Sequence, residues 1–201
     1  MFQLNRPLIL ASNSPRRQQL LRDAGFDFTV HVKDTNEDFP KNMPVQEVPA
    51  FLARKKSEAF RDEMENQIII TADTIVVIND EILNKPKDTT EATQMLRKLS
   101  GKQHQVITGV CIMTTEHTET FIDIAQVFFR ELTDSEIAYY IKTCKPFDKA
   151  GAYGVQDFIG MVGITRMEGS YFTVMGLPVH KVYEALIGFK TDLIYDYVVQ
   201  S

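Results

Sequence analysis

The sequence predicts an α/β protein forming one domain over residues 1–201. Three observations carry that expectation. The continuous apolar run Leu8 to Ala11 has the pattern of a strand buried on both faces, and Ile68 to Ile78, interrupted only by Thr71, Asp73 and Thr74, is a second strong strand signal. Segments with helical spacing and recognisable caps alternate with them. The length of 201 residues, with 44% hydrophobic and 24% charged, suits one ordinary globular domain with a real core.

The elements follow in order. Leu8 to Ala11 is the first strand, and Ser14-Pro15 opens a helix as N-cap and first helical residue. Leu20, Leu21 and Ala24 recur at helical spacing, and Gly25 ends that helix. Phe26, Phe28 and Val30 alternate, which predicts a second strand. Residues 34–46, with acids, Asn and two prolines, read as a loop, and a helix is expected from Val48 to about Met64. Ile68 to Ile78 is the strongest strand signal, and Asn79-Asp80 turns it into Glu81-Ile82-Leu83. Asp88 with Glu91 forms an Asp-led capping box for a helix over 89–99. Two β-branched segments between Gln103 and Arg130, parted by the polar stretch 114–118, predict a hairpin. Thr133 to Glu136 is a full capping box for a helix to about Cys144. The stretch Phe147 to Gly163 is too rich in glycine for a helix. Gly176-Leu177-Pro178 starts the last helix, with Val179, Val182, Tyr183, Leu186 and Ile187 inward and Gly188 at its end.

Charge and cysteine content exclude several classes. A net charge of −5 and a pI near 5.4 do not suit a binder of long nucleic acid, which needs a broad basic surface. Cys111 and Cys144 make neither a disulfide framework nor a CxxC metal site and read as reduced residues of a cytoplasmic protein. The opening Met1 to Pro7 lacks the features of a signal peptide, and no apolar run approaches a membrane span, so no membrane partner is expected. The four histidines show no metal-ligand spacing and are expected to be scattered over surface or core.

Four stretches could hold chemistry. In Ser12-Asn13-Ser14-Pro15-Arg16-Arg17 a strand end feeds a helix start, so free N–H groups meet the positive end of the helix dipole. Arg16 and Arg17 have the wrong sign for that dipole, a cost that an anion there would offset. Asp73 and Thr74 interrupt the most apolar strand. A carboxylate in such a strand must be paired, metal-bound or close to water, and alternation puts the two residues on opposite faces. Lys85 and Lys87 would project to the same side of an extended segment as point charges for phosphate. In 147–156, small residues allow close approach, Tyr153 offers a stacking face, and Gln156 offers a donor–acceptor edge for a base.

In this order the stretches resemble the Maf family of nucleoside triphosphate pyrophosphatases, over nearly the whole chain. The resemblance rests on Ser-x-Ser-Pro-Arg-Arg at 12–17, Glu37, Leu-Ala-x-x-Lys at 52–56, Ala-Asp-Thr at 72–74, and Lys85-Pro86. It continues through His-x-Val-x-Thr-Gly-Val at 104–110, Asp-Lys-Ala-Gly-Ala-Tyr-Gly-Val-Gln at 148–156, and Gly-Leu-Pro at 176–178.

The resemblance implies an ITPase-like α/β fold, with an elongated mixed sheet flanked by helices and two lobes around a nucleotide cleft. It implies cleavage of the α–β phosphoanhydride of a nucleoside triphosphate to monophosphate and pyrophosphate, with Mg²⁺ or Mn²⁺. A cytoplasmic location and a homodimer as a frequent assembly are also implied. By position, Asp73 becomes the acceptor of the water proton. Arg16, Thr74 and Gln156 match positions linked with substrate choice, and Ser12, Arg17, Glu37, Lys56 and Lys85 match the polar lining of the cleft. The Asp-Lys-Ala-Gly-Ala-Tyr-Gly-x-Gln form resembles members acting on dTTP and UTP, with modified pyrimidine nucleotides as a further substrate class. Two alternatives stand beside this reading: a 7-methyl-GTP pyrophosphatase of the same family, and a non-catalytic nucleotide-binding regulator of septation. Asn84 and Thr173 depart from the residues common at their positions, Gly and Asn.

Chemically, Glu37 and Asp73 supply hard oxygens suited to Mg²⁺ or Mn²⁺, and Arg16, Arg17, Lys56 and Lys85 supply the cations that neutralise phosphate. Asp73 either takes the water's proton or holds the metal that acidifies it, and the sequence leaves both open.

Overall fold

The computed structural model describes residues 4–189. Met1 to Gln3, the first part of the opening segment considered above, lie outside the described residues, as do 190–201. One mixed sheet runs through the fold in the order β2 (Thr29–Val30), β1 (Leu8–Leu10), β3 (Ile68–Ile78), β5 (Gln103–Met113), β6 (Thr118–Phe129), β7 (Ile164–Glu168), and β4 (Glu81–Leu83) also pairs with β3. β2, β1 and β3 are parallel, whereas β4 and β5 to β7 are joined by antiparallel ladders.

The pairing of β3 positions the site. Along one edge β3 is bonded to β5 from Ile69 to Val77. Along the other edge β1 covers Ile68 to Ile70 and β4 covers Val76 to Ile78. Residues 71–75 therefore face a fork between two strands, so a carboxylate in the middle of an apolar strand still reaches water.

Helices flank both faces. Ile68, Ile70 and Ala72 pack with α1 (Pro15–Asp23) and α7 (Val179–Ile187), whereas Val76 and Ile78 pack with α3 (Thr89–Leu99) and α4 (Asp134–Cys144). These two cores form the lobes, and Thr74 lies at the seam between them. On the opposite face α2 (Val48–Glu58) covers Ile75, Val77 and Ile107 through Val48 and Leu52.

Most local expectations hold. Ser14 accepts from Arg17 N as N-cap of α1, and Thr133 and Glu136 make both arms of the capping box on α4. Asp88 caps α3, but Glu91 reaches back to Lys87 N instead of closing the box. Asn79 and Asp80 both have positive φ, the turn that joins β3 to β4.

Several expectations are corrected. Only Thr29 and Val30 form a second strand, because Phe26 turns into the core beside α1. α2 stops at Glu58 rather than Met64: Ser57 Oγ bonds back to the Arg54 carbonyl, and Phe60 drops into a cluster with Ile69 and Met113. The glycine-rich stretch does contain a helix, α5 (Phe158–Gly163). Ile187 faces outward, at 48% exposure. β7 and α6 (Tyr171–Met175) have no counterpart among the expected elements. Among the described residues no helix is long and apolar enough to cross a membrane.

Candidate active site

A cleft of about 480 Å³ opens at the fork of β3. Ser12, Arg16, Arg17, Glu37, Lys56, Asp73, Thr74, Lys85 and Gln156 all line it, so the structure gathers every sequence-predicted site residue in one place. Lys87 is not among the lining residues, and only Lys85 of the pair reaches the cleft.

The geometry starts from a glycine. Gly109 pairs with Asp73 across the ladder, and a Cβ there would lie 2.3 Å from the backbone of Pro49 and Ala50. The start of α2 thus rests on the sheet beside Asp73, and two turns later the helix presents Lys56. Lys56 Nζ lies 2.6 Å from Asp73 Oδ1 and 2.8 Å from Glu37 Oε1. Partial burial pushes the Glu37 carboxyl up, but its hydrogen bond from Lys56 and the charges of Lys56, Lys85 and Arg17 together hold it below the usual range.

Arg17 is a clamp more than a free anion ligand. Nε donates to the Gly176 carbonyl at 2.7 Å, Nη1 to the Ala72 carbonyl at 2.9 Å, and Nη2 to Thr74 Oγ1 at 3.0 Å. Its burial lowers its pKa, and the nearby Asp73 charge opposes that. Ser12 Oγ accepts from Ser14 N at 3.2 Å, fixing the turn into α1. Arg16 reaches across the cleft to Asp148 Oδ2 at 3.2 Å. Lys85 has no ion-pair partner among the described residues.

The glycine-rich wall is held from behind. Gly154 N donates to Tyr140 Oη, which donates to Asp157 Oδ2 at 2.9 Å. Tyr153 is not a free stacking surface. Its hydroxyl lies 2.7 Å from His104 Nε2, and its ring packs edge-on with His104 and Phe129. His104 is buried and its pKa is pushed down to about 3, so it stays neutral. Gln156 Oε1 is buried without a hydrogen-bond partner. Asn84 offers its backbone carbonyl to Gly151 N at 3.2 Å, a bond its side chain does not enter.

The family model described as Maf-like protein matches residues 7–189. The chain belongs to the Maf family. A Cytophaga hutchinsonii protein named dTTP/UTP pyrophosphatase is 48% identical over 182 residues, covering 90% of this chain and 84% of that protein. A Flavobacterium psychrophilum protein of the same name is 47% identical over 184 residues, covering 91% and 94%. One from Phocaeicola vulgatus, again of that name, is 47% identical over 181 residues, covering 89% and 94%.

Sequence reasoning missed Asp148 as the partner of Arg16 and Gly109 as the seat of α2. Both stand inside quoted motifs, but their roles depend on contacts 132 residues apart and on a helix crossing.

Proposed function

We propose that this Maf protein hydrolyses dTTP and UTP at the α–β phosphoanhydride, releasing nucleoside monophosphate and pyrophosphate. The convergence of Asp73, Lys56 and Glu37 in a cation-rimmed cleft carries the reading. The names of the relatives support the choice of nucleotide. Gln156 supports it chemically: its buried carboxamide oxygen in the cleft wall, without a partner in the protein, calls for a hydrogen-bond donor from the nucleotide.

Phosphoanhydride hydrolysis needs charge neutralisation, an in-line water and a proton acceptor. Arg16, through its guanidinium and its backbone N–H in the first turn of α1, and Lys85 bind the phosphate chain. Lys56 holds Asp73 by Oδ1, which leaves Oδ2 to accept the proton of the attacking water. Glu37 fixes Lys56 from the other side and so keeps Asp73 oriented.

Glu37 and Asp73 are also the residues that would hold Mg²⁺ or Mn²⁺. Their carboxylates meet at one ammonium, and no group of three or more His, Cys, Asp or Glu side chains is placed to bind a metal among the described residues. That donor set suits an ion completed by phosphate oxygens and water. When bound, the ion would neutralise developing charge and acidify water.

Asp73→Asn is the test. We expect kcat to fall by roughly 10²–10⁴-fold while binding of a non-hydrolysable dTTP analogue is retained. Near-wild-type turnover in the folded variant refutes the assignment. Tight binding with no turnover in the wild-type protein, with metal present, would favour the sensor reading. Location in the cytoplasm and a homodimer belong to the same proposal, and sedimentation of the purified chain tests the latter.

A further inference from the structure

Behind the cleft runs a line of hydroxyls whose direction is set at its far end. Thr74 and Thr108 are paired across β3 and β5 at the seam between the two lobes. Thr108 Oγ1 lies 2.8 Å from the Thr173 carbonyl oxygen and 2.9 Å from Thr74 Oγ1, and Arg17 Nη2 lies 3.0 Å from Thr74 Oγ1. A carbonyl has no hydrogen to give, so the hydrogen between Thr108 and Thr173 belongs to Thr108. Thr108 can then only accept from Thr74, whose own hydrogen is thereby turned away from the cleft. A guanidinium only donates, so Arg17 occupies one lone pair of Thr74. A single lone pair is left for a molecule in the cleft. The far end is firmly held: Thr108 and Thr173 are fully buried, and the Thr173 hydroxyl is bonded to Asp123, which pairs with Lys181 at 2.7 Å.

We propose that Thr108 is a positioning residue that makes Thr74 an acceptor-only contact, so that the cleft selects nucleotides placing a hydrogen-bond donor against Thr74. The inference rests on the hydrolase reading above. Apart from the phosphates, dTTP and UTP share two such donors, the imide N3–H of the base and the 3′-hydroxyl of the sugar. CTP replaces the first with a nitrogen lone pair, and 2′,3′-dideoxythymidine triphosphate lacks the second. An acceptor left facing an acceptor, or facing nothing, at the contact with the nucleotide costs about tenfold in kcat/KM.

The test measures kcat/KM for UTP, CTP, dTTP and dideoxythymidine triphosphate in the wild-type protein and in Thr108→Val, Thr108→Ala and Thr108→Ser. Thr108→Val keeps the shape and removes the hydroxyl, which frees the Thr74 hydrogen to turn toward the cleft. One of the two discriminations, UTP over CTP or dTTP over its dideoxy analogue, should shrink about tenfold in the Val and Ala variants and persist in Thr108→Ser. Whichever ratio shrinks identifies the donor. Thermal midpoints establish folding, and Thr108→Ser separates packing from polarity because it loses only a methyl group. Both ratios unchanged in a folded Val or Ala variant overturn the proposal. An equal loss on all four nucleotides that extends to Thr108→Ser also overturns it, leaving Thr108 a structural role. A wild-type protein that cleaves none of the four overturns the hydrolase reading, and the proposal falls with it.

Discussion

Gly109→Ala perturbs the site without touching any group that reacts. An added Cβ would sit 2.3 Å from Ala50 N and from the Pro49 carbonyl carbon, both backbone atoms that no rotamer change can move. Restoring an ordinary contact requires α2 to rise by about 1 Å. Overpacking of this kind costs roughly 1–3 kcal/mol, and at ~2–4 °C per kcal/mol for a domain of this size Tm should fall by about 2–12 °C. The same lift would stretch the bond from Lys56 Nζ to Asp73 Oδ1, now 2.6 Å, beyond hydrogen-bonding distance. Misplacement by ~1 Å costs on the order of 10²-fold in rate. Differential scanning fluorimetry gives the first quantity, and steady-state phosphate release with added inorganic pyrophosphatase gives the second. Unchanged Tm and unchanged kcat would refute the claim that α2 is seated on Gly109 and delivers Lys56 from there.

Two further outcomes are expected. Arg16→Ala should chiefly change the ratio of dTTP to GTP turnover, and Asp148→Ala should shift that ratio in the same direction because Asp148 holds Arg16 at 3.2 Å. An unchanged ratio in kinetic competition would remove Arg16 from substrate choice. His104 is neutral in the folded chain down to about pH 3, whereas an unfolded histidine binds its proton near 6.5. The unfolded state therefore holds the extra proton between those values, and stability should fall by up to ~1.4 kcal/mol per pH unit as pH drops below 6.5. Urea titrations at several pH values should show this component vanish in His104→Phe, and an identical slope in both proteins would contradict it.

Much of the fold was legible because its signals are local. The mostly apolar eleven residues of β3, the hairpin of β5 and β6, and the Thr133–Glu136 capping box depend on neighbours in sequence. α5 was hidden because glycine usually argues against a helix. Here a Cβ at Gly160 would lie 2.3 Å from the Val155 carbonyl oxygen, so the residue permits close packing of the helix on the preceding loop. The exposure of Asp73 was equally hidden. It follows from β1 and β4 pairing with opposite ends of one strand edge, a tertiary fact that no periodicity in 68–78 records. The site residues themselves were legible as motifs. Their division of labour was not, since Arg17 clamps backbone while its neighbour Arg16 faces Asp148.

The most direct measurement is chromatographic product analysis of the purified protein with dTTP, UTP, CTP, GTP and 7-methyl-GTP, in Mg²⁺, Mn²⁺ and chelator. Metal-dependent formation of monophosphate and pyrophosphate from dTTP and UTP, with little from the others, is the predicted result. Cleavage of 7-methyl-GTP in preference to both would contradict the assignment of the cleft to uracil and thymine, and release of orthophosphate with nucleoside diphosphate would contradict attack at the α–β bond.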